Sequence, residues 1–265
     1  MDLSVSLIIT TYNWKEALRL TLLSVFTQTV LPQEVLIADD GSGPDTKELI
    51  DSLRKESPVP LVHVWHEDEG FRLTTIRNKA IARAKGDYIV QVDGDTILNE
   101  YFIEDHIELA EEDCFVCGSR VKIFQKGTKR IMEGGTYDFR FFRQSTHSML
   151  NSIRLGFLRR FLARNYAKDR LERLRGCNMA FWKKDLIQVN GYNEDLTSWG
   201  HEDTELSYRL FFAGKEKKIL KMGGVLFHLH HDGNSRHGED MHLLVIEDVK
   251  KNNSSWCENG LNKYN

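Results

Sequence analysis

Tyr88-Ile89-Val90-Gln91-Val92-Asp93-Gly94-Asp95 is a mainly apolar run that ends abruptly in two carboxylates with one glycine between them. Such a run reads as a buried strand delivering Asp93 and Asp95 to the carboxyl edge of a sheet, where open α/β sheets bind their ligands. In an extended backbone residues i and i+2 point the same way. The two carboxylates are therefore expected to face one hard cation or one ligand, and Gly94 leaves room for close approach. Mg²⁺ or Mn²⁺ carrying phosphate oxygens suits the pair, because these ions take a few carboxylates together with substrate. An isolated Asp-Gly-Asp is equally a solvated turn, so the neighbouring chain has to decide.

Upstream, Ser4–Thr10, Glu34–Asp39 and Leu61–Trp65 are short runs of β-forming residues, and Asp87–Val92 belongs with them. Helical patterns at Lys15–Gln28, Asp45–Glu56 and Thr74–Ala84 alternate with these strands. That alternation predicts βαβ units and an α/β, Rossmann-like, mostly parallel sheet flanked by helices. Each strand is followed by polar residues: Thr10-Thr11-Tyr12-Asn13, Asp39-Asp40-Gly41-Ser42, His66 to Arg72, and Asp93-Gly94-Asp95. Taken singly these are turn and cap sequences; together they describe a crevice for a polar ligand. A G-x-G-x-x-G turn and a Lys-bearing phosphate loop are both missing, which leaves phosphate to the metal and to Arg72 and Arg77.

Composition sets the bounds. In 265 residues, 41% are hydrophobic and 28% charged, as in ordinary globular chains. A net charge of −3 gives no global field for nucleic acid. The N-terminus lacks a basic lead and a long apolar run, and no span reaches the length of a membrane helix, so a cytoplasmic location is expected. The four cysteines agree with that. Cys114 and Cys117 have metal spacing but lie in an apolar strand pattern with no second pair, and are read as packing.

The stretches Ser6 to Asn13, Val35 to Ser42, Gly70-Phe71-Arg72 with Arg77-Asn78, and Asp93-Gly94-Asp95 together resemble glycosyltransferase family 2, whose fold is GT-A. The resemblance implies a UDP-sugar held by Thr11, Asn13, Asp40, Arg77 and Asp93, with the metal on Asp95; Arg72 joins the nucleotide-binding set as a phosphate ligand. Downstream, Trp199-Gly200-His201-Glu202-Asp203 is similar to the Trp-Gly-x-Glu-Asp of galactosyl- and N-acetylgalactosaminyl-transferring members. There the resemblance implies Asp203 as catalytic base, with Glu202 and Trp199 binding sugar; plain capping of a helix N-terminus by acids is the other reading. Gly224 to Asp232 reads as a strand on which His228 and His230 share a face, and imidazoles bind Mn²⁺ readily. His228 and His230 are expected to complete the metal site, with His231 able to replace either. Thr204 stands where some relatives carry a further acid.

Between Arg120 and Arg175 the composition shifts to 15 Lys or Arg against 4 Asp or Glu. Leu155, Leu158, Leu162 and Tyr166 recur at helical spacing among Arg154, Arg159, Arg160, Arg164 and Lys168. A basic amphipathic helix of this kind is expected to lie on an anionic membrane surface or to dock the acceptor. The predicted organisation is a nucleotide-sugar half at 1–118, a basic helical insert at 119–175, an acceptor and catalytic half at 176–251, and a frayed tail at 252–265. These readings imply an inverting, metal-dependent transfer of a single sugar to a glycan or lipid-linked acceptor. The alternatives are an idle sugar-nucleotide sensor on the membrane and a nucleotidyltransferase.

Overall fold

The computed structural model describes residues 3–134, 146–167, 170–231 and 239–264; Lys168 of the basic helix and Asp232 of the histidine stretch lie outside them. Strands β1 (Val5–Thr11), β2 (Glu34–Asp39), β3 (Leu61–Trp65) and β4 (Tyr88–Asp93) form the parallel half of a seven-stranded sheet. Helices α1 (Lys15–Phe26), α2 (Pro44–Leu53) and α3 (Leu73–Arg83) connect them. Past β5 (Thr96–Leu98) and α4 (Phe102–Leu109), β6 (Cys114–Cys117) joins the same sheet. A second sheet takes β5 and β7 (Val121–Ile123), with α5 (Gln125–Gly134) beside them and β8 (Thr146–His147) at one edge. Helix α6 (Gly156–Asn165), β9 (Asn178–Trp182), α7 (Lys183–Gln188), α8 (Glu202–Phe212), β10 (Glu216–Ile219), β11 (Leu226–His228) and α9 (Glu239–Asn252) complete the chain.

The large sheet runs β10-β6-β9-β4-β1-β2-β3, parallel throughout except β9, which lies antiparallel between β6 and β4. Side chains alternate between two cores. Leu7, Ile9, Val35, Val90 and Val92 pack with α1, α2 and α4, while Ile8, Leu36, Ile89, Phe115 and Phe181 pack with α3, α8 and α9. Burial on both faces explains the continuous apolar runs of these strands. It also leaves polar groups to gather at the edge where β1, β2, β4 and β6 end and β9 begins.

Two expectations change. The 252–265 segment is packed rather than frayed: Leu261 is buried in the core, and Asn190 Nδ2 donates to the carbonyl of Cys257 while its Oδ1 accepts from the Asn262 amide. The basic helix, in turn, points arginines inward. Arg159 is buried between Asp105 and Glu108 of α4, Arg160 Nε donates to Glu108, and Arg154 pairs with Glu104 and Asp105 at 2.9 Å. The acids of α4 are the reason. Large apolar side chains are also left to solvent by α6 and its approach, beside the exposed Arg160 and Arg164: Phe157 is 80% exposed, Leu150 73% and Phe161 62%. Cys114 and Cys117 are buried strand residues, as their apolar setting predicts.

Candidate active site

Strand β4 ends at Asp93, and Gly94 turns the chain, its N–H donating to the Thr10 carbonyl at 2.7 Å. A Cβ at residue 94 would meet that carbonyl at 2.8 Å, so the turn needs glycine. Asp93 and Asp95 thus converge through a turn rather than along one extended face. Asp93 Oδ1 accepts from Thr10 Oγ1 at 2.9 Å. Asp95 Oδ2 lies 3.5 Å from His228 Nε2 and 3.3 Å from His231 Nε2. Its Oδ1 is buried without a hydrogen-bond partner among the described residues.

His231, not His230, therefore joins Asp95 and His228. The alternation that put His228 and His230 on one face fails because β11 stops at His228. The His230 side chain faces solvent, and its amide donates to Thr128 Oγ1. His228 Nδ1 is 2.8 Å from the Leu229 carbonyl, which holds the proton on Nδ1 and leaves the Nε2 lone pair toward Asp95. One orphaned carboxylate oxygen and two imidazoles form an oxygen–nitrogen donor set that fits Mn²⁺ or Mg²⁺, Mn²⁺ better because imidazole is a softer ligand than carboxylate. Burial raises the Asp95 pKa and the two histidines oppose the rise.

On the β1–β3 side the loops lock one another. Asn13 N–H donates to Ser42 Oγ at 2.8 Å, and Gly43 N–H donates to Asn13 Oδ1 at 3.0 Å. Asp40 Oδ1 sits 2.7 Å from His66 Nε2, and Asp40 Oδ2 accepts from the Arg72 amide at 3.0 Å. The Arg72 guanidinium stays at the rim with Glu69 and the Glu67 carbonyl. Thr11 is buried where Asp40 N–H bonds its carbonyl.

Arg77 departs from the expectation of a phosphate ligand. It is 2% exposed and enclosed by carboxylates, with Asp203 at 3.1 Å, Glu202 at 3.4 Å and Asp93 at 3.6 Å. Burial disfavours its charge, but those three acids outweigh burial and keep it protonated. Glu202 and Asp203 open α8, where the helix dipole also favours them. Burial and the Asp203 charge push the Glu202 pKa up to about 8, against the pull of Arg77. Trp199 is partly exposed at the entrance to α8.

Four residues at the site carry no motif. Tyr192 OH lies 2.9 Å from Asp203 Oδ1 and 3.0 Å from Gln91 Oε1. Gln91 Nε2 donates to the Gly176 carbonyl at 3.0 Å. A Cβ at Gly176 would overlap Asp203 Oδ2. Cys177, its thiol pKa pushed up to about 12 by burial and Asp93, sits with Asp93 and His228. In the sequence Tyr192 follows a helix-ending glycine and Gly176–Cys177 begins a strand; neither position signals chemistry.

The sequence profile of glycosyl transferase family 2 matches residues 6–174, more than half of the chain, across the β1, β2 and β4 loops just described. The chain belongs to glycosyl transferase family 2. A second profile, the N-terminal domain of galactosyltransferase, matches residues 158–232, the span holding Asp203, His228 and His231. Chondroitin synthase of Escherichia coli is 28% identical over 245 residues, covering 84% of this chain and 34% of that protein. Hyaluronan synthase of Pasteurella multocida is 28% identical over 239 residues, covering 81% of this chain and 23% of that protein. The chain thus spans about a third or less of the length of these curated relatives. Among solved structures, S. aureus TarS superposes with a TM-score of 0.64 at 15% identity, covering 98% of this chain and 41% of that one, a likeness of fold.

Proposed function

We propose that this family 2 chain is an inverting, metal-dependent glycosyltransferase that moves one sugar from a UDP-sugar of the galactose, N-acetylgalactosamine or glucose class to a hydroxyl of a glycan acceptor. The observation that carries the reading is the reach of Arg77, which touches Asp203 with one guanidinium nitrogen and Asp93 with the other. A candidate base and the Asp-x-Asp pair are thereby held within one side chain's span. Asp203 Oδ1 is occupied by Arg77 and Tyr192, and its Oδ2 makes no hydrogen bond among the described residues. That oxygen is placed to take the proton of an acceptor hydroxyl as it attacks the anomeric carbon. A carboxylate base flanked by acids that Arg77 already engages suits direct displacement, and an α-linked donor then gives a β-linked product.

Asp95, His228 and His231 would hold the divalent ion, which when bound neutralises the diphosphate leaving group. Asp40, Asn13 and Thr11 line the β1–β2 crevice in which the nucleotide is proposed to sit. Glu202, carrying a proton near neutral pH, can donate to a sugar hydroxyl as well as accept. No helix among the described residues is long and apolar enough to cross a membrane. Contact with a bilayer surface is proposed instead through Leu150, Leu155, Phe157 and Phe161, beside a lipid-linked acceptor in bacterial surface polysaccharide synthesis.

The test is UDP release from a panel of UDP-sugars with Mn²⁺ or EDTA, for wild type, Asp203→Asn and Asp95→Ala. Metal-dependent release from one donor, lost in both variants, is expected. UDP binding without release from any donor across neutral and anionic acceptors would point to a sugar-nucleotide sensor.

A further inference from the structure

Five cations gather in a cleft of about 240 Å³ on the β6–β10 side of the site: Arg120, Lys122, Arg173, Arg175 and Lys221. None of them has a carboxylate within ion-pair distance among the described residues. Among the described residues Arg120 Nε is buried with no hydrogen-bond partner, and Lys221 Nζ reaches only the Asn151 amide oxygen, at 2.8 Å. Arg154, Arg159 and Arg160, by contrast, are neutralised by the acids of α4. Like charges crowded without counter-charges destabilise a fold; burial and then Arg173 and Arg175 lower the Lys221 pKa. Such an arrangement is explained by an anion that completes it.

Its position says which anion. The cleft opens where β6 and β10 end, the same edge that carries Asp93 and Asp95. Arg120 Nη1 is 3.9 Å from Cys177 Sγ, and Cys177 adjoins Asp93 and His228. Arg175 precedes Gly176, whose Cα lies against Asp203 Oδ2. The nucleotide crevice is on the other side of β4, toward β1, β2 and β3. A group bound among the five cations is therefore near the candidate base, across β4 from the loops of β1, β2 and β3.

Resting on the transferase reading above, we infer that this cleft binds an oxyanion of the acceptor, so that the acceptor is a phosphate- or carboxylate-bearing glycan rather than a neutral one. Arginine forks suit both groups by paired N–H···O bonds.

The test titrates tri-galacturonate and tripolyphosphate, with maltotriose as neutral control, into metal-free wild type and the double variant Lys122→Glu/Arg175→Glu, whose two side chains are exposed. Wild type should bind at least one anion, more weakly as salt rises, and the variant at least tenfold more weakly; the two anions tell phosphate from carboxylate. Maltotriose should not bind. Equal binding of the anions by both proteins, or binding of neither anion, overturns the inference. UDP binding with Mn²⁺, measured alongside, should be unchanged in the variant; a parallel loss would assign the cleft to the donor diphosphate and overturn it too. Failure of wild type to bind UDP while anions still bind would sink the transferase reading and leave the cleft standing.

Discussion

The Tyr192 hydroxyl lies 2.9 Å from Asp203 Oδ1. Gln91 Oε1 is as near, but the phenol has one proton, and a carboxylate is the stronger acceptor. Tyr192 is fully buried, and burial followed by the Asp203 charge raises its pKa, so the proton stays on the ring oxygen and is donated. Tyr192 is in this view a positioning residue. A hydrogen bond to a charged group contributes about 1.5–3 kcal/mol. Tyr192→Phe is expected to lower kcat about tenfold or more, with KM for the UDP-sugar unchanged. A change in donor KM alone would refute the role.

Gly176 makes room for the other oxygen. Because a Cβ there would overlap Asp203 Oδ2, Gly176→Ala must displace the carboxylate or the strand start. A displacement of about 1 Å can cost a factor of about a hundred in rate. The expected result is a kcat lowered by about that factor with UDP affinity retained, since the donor loops lie across β4. Full activity in Gly176→Ala would mean that Asp203 is not the base.

Much of the donor side was legible because a parallel strand buried on both faces is an unbroken apolar run that can end only in polar residues at the sheet edge. Leu7 to Ile9 and Val35 to Ala38 show this directly. Strand β10 was not, since its Glu216-Lys217-Lys218-Ile219 looks exposed. Lys217 and Lys218 instead bury their stems, the first with its amine on the Arg170 carbonyl and the second on Glu111. The inward turn of Arg159 was hidden for a related reason: a charge pattern shows which face of a helix is basic, but not that α4, some fifty positions earlier, offers Asp105 and Glu108 to it. The supports of Asp203 were illegible because Gln91, Gly176 and Tyr192 meet only in three dimensions.

Glu202 predicts a pH dependence. With a pKa of about 8 in place of about 4.5, it holds its proton more tightly folded than unfolded. Its contribution to stability is thus complete below the ordinary Glu range and is lost as pH rises toward 8. Glu202→Gln abolishes the loss. Thermal denaturation in EDTA should show the variant gaining on wild type by several degrees between about pH 5 and about pH 8. Parallel curves across that range would mean that Glu202 is ionised in the fold.

The proposed metal site separates His231 from its neighbour. His231→Ala removes a nitrogen 3.3 Å from Asp95 Oδ2, whereas His230→Ala removes a side chain that faces solvent. Mn²⁺ titration followed by electron paramagnetic resonance should show at least tenfold weaker binding in the first variant and a change within twofold in the second. The reverse order would restore the reading on which His228 and His230 share a strand face.

Helix α6 buries Arg159 and exposes Phe157 and Phe161. Arg159 is buried against Asp105, itself fully buried, and removing one partner of such a pair costs about 3–5 kcal/mol because the other charge is left unpaired. Arg154 and the Gly224 amide still reach Asp105, which places Arg159→Ala at the lower end, readable by urea denaturation. Phe157 and Phe161, one turn apart, have little to lose in the fold because most of each ring is already in water. If the face meets a bilayer, each ring gains about 1.5–3 kcal/mol on burial. Phe157→Ser/Phe161→Ser should then keep the urea midpoint of wild type and sediment with anionic vesicles about a hundredfold more weakly. Because Arg154, Arg159 and Arg160 spend their charge on α4, that binding should also survive high salt better than attraction through basic residues alone. Equal sedimentation of the double variant and wild type would rule out this face as the membrane contact.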